Sequence, residues 1–237
     1  MDRLISTNDE QIKKNKTLSF FSIHNILFTP LGYEMSYLEF FGTIAGAIAV
    51  WISAKANVWS WPIGIINVVL LFFLFYQVQL YPDMFLQVFF LITNLWGWWR
   101  WLHPKVGEED KKNELRVSYL NIKSRGLSIG LIMVGTTLMG MAASNLSQWF
   151  PTLFNKPSTF PYLDSFVTVV SIVAQYLMLQ KKVECWVLWI IADVVATYLY
   201  FAKEIKFLGL EYLVFCFIAA YGLWNWRREY ISYLNHN

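Results

Sequence analysis

Long uninterrupted apolar blocks restrict the fold of this chain more than any other feature. A helix of roughly 20 apolar residues crosses a bilayer core. Seven stretches fit: 37–54, 59–78, 84–102, 126–146, 162–179, 185–202 and 207–226. Of 237 residues, 57% are hydrophobic and only 15% charged, where a soluble domain is about a quarter charged. So few charges cannot coat a globule of this size, and disorder, a collagen-like fibre or a secreted disulfide scaffold do not fit either. The composition describes an all-α polytopic membrane protein with seven transmembrane helices. The stretch 18–31 is apolar but short and is interrupted by His24 and Asn25. It reads as an interfacial helix, with a shallow extra span as the alternative. Six prolines fall in connections and Pro62 in the opening turn of a span, where proline is tolerated.

Basic residues orient the spans, because Lys and Arg concentrate in cytoplasmic loops. Seven lie on the N-terminal side and twelve on the other. The predicted topology therefore has the N-terminus outside, the C-terminus in the cytoplasm, residues 103–125 cytoplasmic and 147–161 external. The mixed-sign run 107–112 reads as a solvated loop. Two cysteines, Cys185 and Cys216, form no metal-binding motif.

Shifting the sequence by 125 positions superposes the first three spans on the last three without a gap. Phe41 meets Phe166, Trp61 meets Trp186, Phe90 meets Phe215, and the aromatic ending Gly97–Trp101 meets 222–226. The acidic residue opening each unit recurs as Glu39 and Asp164. This gives a division into 1–36 (N-terminal segment), 37–103 (first three-helix repeat), 104–161 (loop, linker helix, external loop), 162–228 (second repeat) and 229–237 (tail). Spans one and five run the same way, so the repeats are parallel, an arrangement used by transporters with a substrate site between repeats.

Polar groups inside the spans identify the candidate site. A charge at the bilayer centre costs about 2.5–3.5 kcal/mol on insertion scales and is functional by default; Asp193 stands near the middle of the sixth span. At about 100° per residue, Trp186, Trp189, Asp193 and Tyr200 share one helical face. A seam between helices would favour small residues over stacked aromatics. On the third span, Gln87 and Asn94 share a face whose amides suit hydroxyl- or amide-bearing ligands. The second span opens with Trp61, Pro62, Gly64 and Asn67. Gly64 takes the repeat position of Trp189, so the two halves do not line a site identically. Thr168, Ser171 and Gln175 form a milder polar stripe on the fifth span.

The Trp186-x-x-Trp189-x-x-x-Asp193 spacing with Tyr200, the Trp61-Pro62-x-Gly64 opening and the Gly97-Trp98-Trp99-x-Trp101 ending resemble PnuC-type vitamin transporters over residues 37 to 228. The resemblance implies a full-length duplicated relative of the SWEET sugar-transporter fold, a homotrimer, and a bacterial inner-membrane location. It further implies facilitated diffusion of nicotinamide riboside, trapped inside as its phosphate by a cytoplasmic kinase. The residue chemistry agrees with such a ligand. A pyridinium cation stacks on Trp and Tyr faces, worth about 2 kcal/mol when desolvated, while Asp193, Gln87, Asn94 and Asn67 bond ribose and amide. The same chemistry predicts rejection of the mononucleotide, whose phosphate would require Arg, Lys or a helix terminus. Competing readings are a carrier of another riboside, thiamine or a sugar, ion-coupled transport through Asp193, and an intramembrane enzyme. The enzyme reading finds no paired midplane carboxylates or Ser/His constellation. No cofactor, metal or nucleic-acid partner is expected; the bilayer and a small molecule are.

Overall fold

The computed structural model describes residues 22–29, 34–77, 81–150, 159–203 and 206–235. Among them stand seven helices: α1 (Tyr37–Ala54), α2 (Ser60–Gln77), α3 (Tyr81–Leu102), α4 (Ile122–Trp149), α5 (Pro161–Leu179), α6 (Glu184–Ala202) and α7 (Lys206–Leu234). Five of these, α1, α2, α4, α5 and α6, are long and apolar enough to cross a membrane. The other two are diluted by polar groups: α3 carries Gln87, Asn94 and Arg100, and α7 carries Glu211, Asn225 and the run Arg227–Glu229.

Three expectations are corrected. The described part of 18–31 is not helical: β1 (Ile26–Phe28) pairs antiparallel with β2 (Met35–Ser36), the only strands among the described residues. The backbone finds partners across this ribbon instead of along a helix, and the Asn25 carbonyl accepts from the Tyr37 N–H. Positions 18–21 and 30–31 lie outside the described residues. Pro82 and Pro161 open α3 and α5 rather than sitting in connections, in first turns whose N–H groups have no intrahelical acceptor. Finally, α7 continues to Leu234, eight residues beyond its predicted end.

The described residues pack as two units, one holding those up to Val50 with those of Trp59–Leu95, the other Trp51–Val58 with those from Trp96 on. In the first unit, glycines let helices approach closely, as membrane seams favour. A Cβ on Gly42 would lie 3.2 Å from Leu71, and one on Gly46 would lie 2.9 Å from Asn67.

In the second unit, α4 packs on α5, α5 on α6 and α6 on α7. Ile132, Val170 and Ala192 form a buried cluster joining α4, α5 and α6. Asp164, opening α5, pairs with Lys203 at the end of α6 over 2.6 Å. At the opposite end, Trp101 and Trp226 are fully buried and 5.9 Å apart between ring centroids. The Trp101 indole donates to the carbonyls of Met178 and Leu179 at 3.3 and 3.2 Å. The Trp226 indole donates to the Ser53 carbonyl at 3.0 Å. The turns after α1 and α5 each contain a residue in the left-handed region, Ala56 (φ 53) and Lys181 (φ 52), 125 positions apart.

The stretch 107–112 is largely exposed, as expected of a solvated loop, but residues 115–120 are held against the protein. Leu115 and Val117 are buried. Ser118 donates its N–H to the Lys181 carbonyl (3.1 Å) and accepts from the Val183 N–H (3.0 Å). Glu184 accepts from the Leu120 N–H at 3.1 Å and pairs with Arg125. The connection between α3 and α4 is thus pinned to the α5–α6 turn.

Candidate substrate site

Of the eight predicted residues, Trp61, Asn67, Gln87 and Asn94 belong to the first unit and Trp186, Trp189, Asp193 and Tyr200 to the second. In the first unit, Trp61, Gln87 and Asn94 are buried and Asn67 is half-buried. Asn67 donates from Nδ2 to the Gly42 carbonyl at 2.8 Å. Asn94 donates from Nδ2 to the Phe90 carbonyl at 2.7 Å and lays its Oδ1 against Gly64, where even a methyl group would collide. Each asparagine is thus seated over a glycine of a neighbouring helix, Asn67 over Gly46 and Asn94 over Gly64. A long side chain would sweep through several rotamers; these two amides are confined by one backbone bond and one flat glycine surface.

In the second unit, Asp193 is 4% exposed. Thr197 Oγ1 donates to its backbone carbonyl at 2.7 Å, but no side chain among the described residues bonds or pairs with its carboxylate. One turn earlier, the buried Nε1 of Trp189 also has no partner among the described residues. Buried polar groups are ordinarily satisfied, so an acceptor and a donor left open on one helical face are equipped to bond a ligand. Tyr212 and Cys216 on α7 lie within electrostatic reach of Asp193. Tyr200 stacks on Tyr212 with centroids 5.2 Å apart and planes at 11°. Trp186 is fully buried, edge-on to Trp226 at 5.4 Å and pressed on Gly222, where a Cβ would meet its ring at 2.6 Å. Its indole is a wall locked from behind.

Sequence reasoning misses Tyr212, although a signal for it exists: the 125-residue shift brings Gln87 onto position 212. Of the fifth-span stripe, Gln175 is buried and Thr168 Oγ1 donates to the Asp164 carbonyl at 3.0 Å. No group of His, Cys, Asp and Glu able to hold a metal occurs among the described residues.

A bundle of apolar helices carrying an open carboxylate among aromatic rings defines a membrane transport protein rather than a soluble binding module. The family description "Nicotinamide mononucleotide transporter" matches residues 36–228, and the chain belongs to that family. It is 34% identical over 230 residues to the nicotinamide riboside transporter PnuC of Escherichia coli (strain K12), covering 88% of this chain and 94% of that protein. It is 28% identical over 199 residues to the riboflavin/roseoflavin transporter RibM of Streptomyces davaonensis, covering 84% and 88%. Among solved structures, the chain is similar to the vitamin B3 transporter PnuC, with a TM-score of 0.61, 25% identity and 81% of each chain covered.

Proposed function

We propose that the protein carries nicotinamide riboside across a bacterial inner membrane by uniport, with trapping by phosphorylation in the cytoplasm. The observation that carries this reading is the buried Asp193 carboxylate, left without a side-chain partner among the described residues beside the unpartnered Trp189 indole N–H. A pyridinium cation complements the carboxylate and the Trp186, Trp189 and Tyr200 rings. The amides of Asn67, Gln87 and Asn94 and the Trp61 indole are assigned to the ribose and carboxamide. The family description names the mononucleotide, whereas the E. coli relative is named for the riboside. The riboside is favoured because the α6 face, Glu184–Ala202, contains no Lys or Arg to meet a phosphate.

The same proposal takes all seven helices as spans, in two parallel three-helix repeats, 37–103 and 162–228, on a SWEET-like plan. The shared φ of Ala56 and Lys181 and the crossed Trp101 and Trp226 hydrogen bonds support it. It also takes the N-terminus as external, the C-terminus as cytoplasmic, and the assembly as a homotrimer.

Equilibrium binding of purified protein to nicotinamide riboside, its mononucleotide, thiamine, riboflavin and a sugar panel tests the substrate. Riboside binding with no mononucleotide binding is expected. In proteoliposomes, riboside should equilibrate without any gradient. Accumulation driven by protons or sodium without a kinase would replace uniport by coupled transport through Asp193. A second reading, a flavin carrier, is favoured by the RibM likeness alone, and tight riboflavin binding in the panel would select it.

A further inference from the structure

Two apolar grooves meet at Leu223 and Arg227 of α7. One, of about 450 Å³, is lined by Ile129 and Ile132 of α4, Leu188 of α6 and Leu223 of α7, with Arg125, Glu184 and Arg227. The other, of about 440 Å³, is lined by Ala220, Leu223, Trp224 and Ile231 with Arg227 and Arg228. Leu223 and Arg227 line both, so a single ridge separates the grooves and a single guanidinium serves each.

The charges at this ridge are not balanced within the protein. Glu184 is already occupied by Arg125 at 2.8 Å and by the Leu120 N–H. Arg227 and Arg228 enter no ion pair among the described residues, and the Arg228 guanidinium rests over the Trp224 ring at 5.5 Å. Two exposed cations beside two greasy furrows call for an amphiphile with one anionic head and two chains. The groove lined by α4 also runs in the right direction. Ile132 lies seven residues along α4 from Arg125, which is about 10 Å deeper along a helix that is apolar enough to cross the bilayer. Basic pockets between membrane helices bind anionic headgroups by this logic.

We propose that an anionic diacyl phospholipid is held here, its phosphate on Arg227 and Arg228 and one acyl chain in each groove, on the membrane face that carries the 103–121 connection. The proposal stands apart from the transported substrate, since none of these residues belongs to the Asp193 face.

Native mass spectrometry of the detergent-solubilised protein with added dioleoyl phosphatidylglycerol or phosphatidylcholine tests it. Phosphatidylglycerol should be retained at least tenfold better than phosphatidylcholine. That preference should vanish in Arg227→Gln/Arg228→Gln and persist in Arg116→Gln, an exposed arginine elsewhere. Leu223→Trp, which fills the shared wall and keeps both arginines, should abolish retention of either lipid while the protein still elutes as a folded species. Equal retention of the two lipids, or retention unaffected by the arginine pair and by Leu223→Trp, would overturn the proposal. So would disulfide linkage between copies through Leu223→Cys and Ile231→Cys, because the grooves would then be filled by a second copy of the chain.

Discussion

Ser53 and Met178 touch, the serine Oγ donating to the methionine Sδ over 3.3 Å. They stand 125 residues apart, the interval that also separates Trp101 from Trp226 and Ala56 from Lys181. Under the proposed repeat, each of these three pairs joins a position to its own counterpart. Around this point each buried tryptophan closes the helix end next to the other's counterpart. Trp101 caps the end of α5, and Trp226 caps the end of α1.

The crossed caps should be energetically similar. Trp226→Phe leaves the Ser53 carbonyl with only the Ala56 N–H, and Trp101→Phe leaves Met178 with its backbone donors while Leu179 loses the indole. Each should cost about 0.5–1.5 kcal/mol, the net worth of a lost hydrogen bond. Thermal melting in detergent reads this directly; an unchanged melting temperature in either variant would show water replacing the indole.

Gly64→Ala should expel the Asn94 carboxamide from its seat. Overpacking of this kind costs about 1–3 kcal/mol, and riboside affinity should fall at least tenfold because Asn94 is displaced. Gly130→Ala is the control: nothing lies within 4 Å of the added methyl, so binding should be unchanged and stability equal or slightly raised. Normal binding by Gly64→Ala would remove Asn94 from the site.

Asp193→Asn separates a ligand-binding role from a packing role. A buried carboxylate without a side-chain partner destabilises the fold, so the amide should melt at the same temperature or higher in the absence of ligand. Riboside affinity should nevertheless drop by tenfold or more, through loss of a charge-assisted acceptor. Lower stability with intact affinity would make Asp193 a structural residue.

Lys181 provides a pH dependence of known sign. It is fully buried, with Nζ 4.4 Å from the Trp101 centroid and 3.9 Å from Glu114. Burial pushes its ammonium below the usual lysine range, against the opposing pull of Glu229, Glu114 and Asp110. The unfolded chain therefore holds this proton more tightly than the folded one, and stability rises with pH between the folded and unfolded values. Lys181→Met should melt higher than the wild type at neutral pH, because it removes a buried ammonium that no hydrogen bond satisfies among the described residues. The advantage should shrink as pH approaches about 10, the ordinary lysine range. A constant difference across that range would mean that the lysine does not titrate.

The apolar spans and the aromatic endings can be read from the chain because both are strong local patterns. Asp193 stands out for a related reason: an ionisable residue in an apolar block has few neutral explanations. The β1–β2 ribbon is invisible, since Met35 and Ser36 are an ordinary pair until Ile26–Phe28 lies beside them. Lys181 gives no hint of its burial either. A lysine next to another lysine after an apolar span looks like a solvated turn, and only the packing of Trp101 and the 114–118 stretch closes over it. The length of α7 escapes a reading by hydropathy, which ends at Trp226 while helical hydrogen bonding does not.

The cap on α1 also sets a timetable for biosynthesis. The Ser53 carbonyl, which already accepts from the Ala56 N–H, gains its indole donor 173 residues downstream, and the Ala54 carbonyl gains the Asn225 amide. At synthesis rates of about 5–20 residues per second, α1 stays without these two partners for roughly 9–35 s. During that interval the ribosome, the insertion machinery and the lipid must shelter a helix end whose indole and amide partners come from α7, and a chain truncated before Asn225 would lack both.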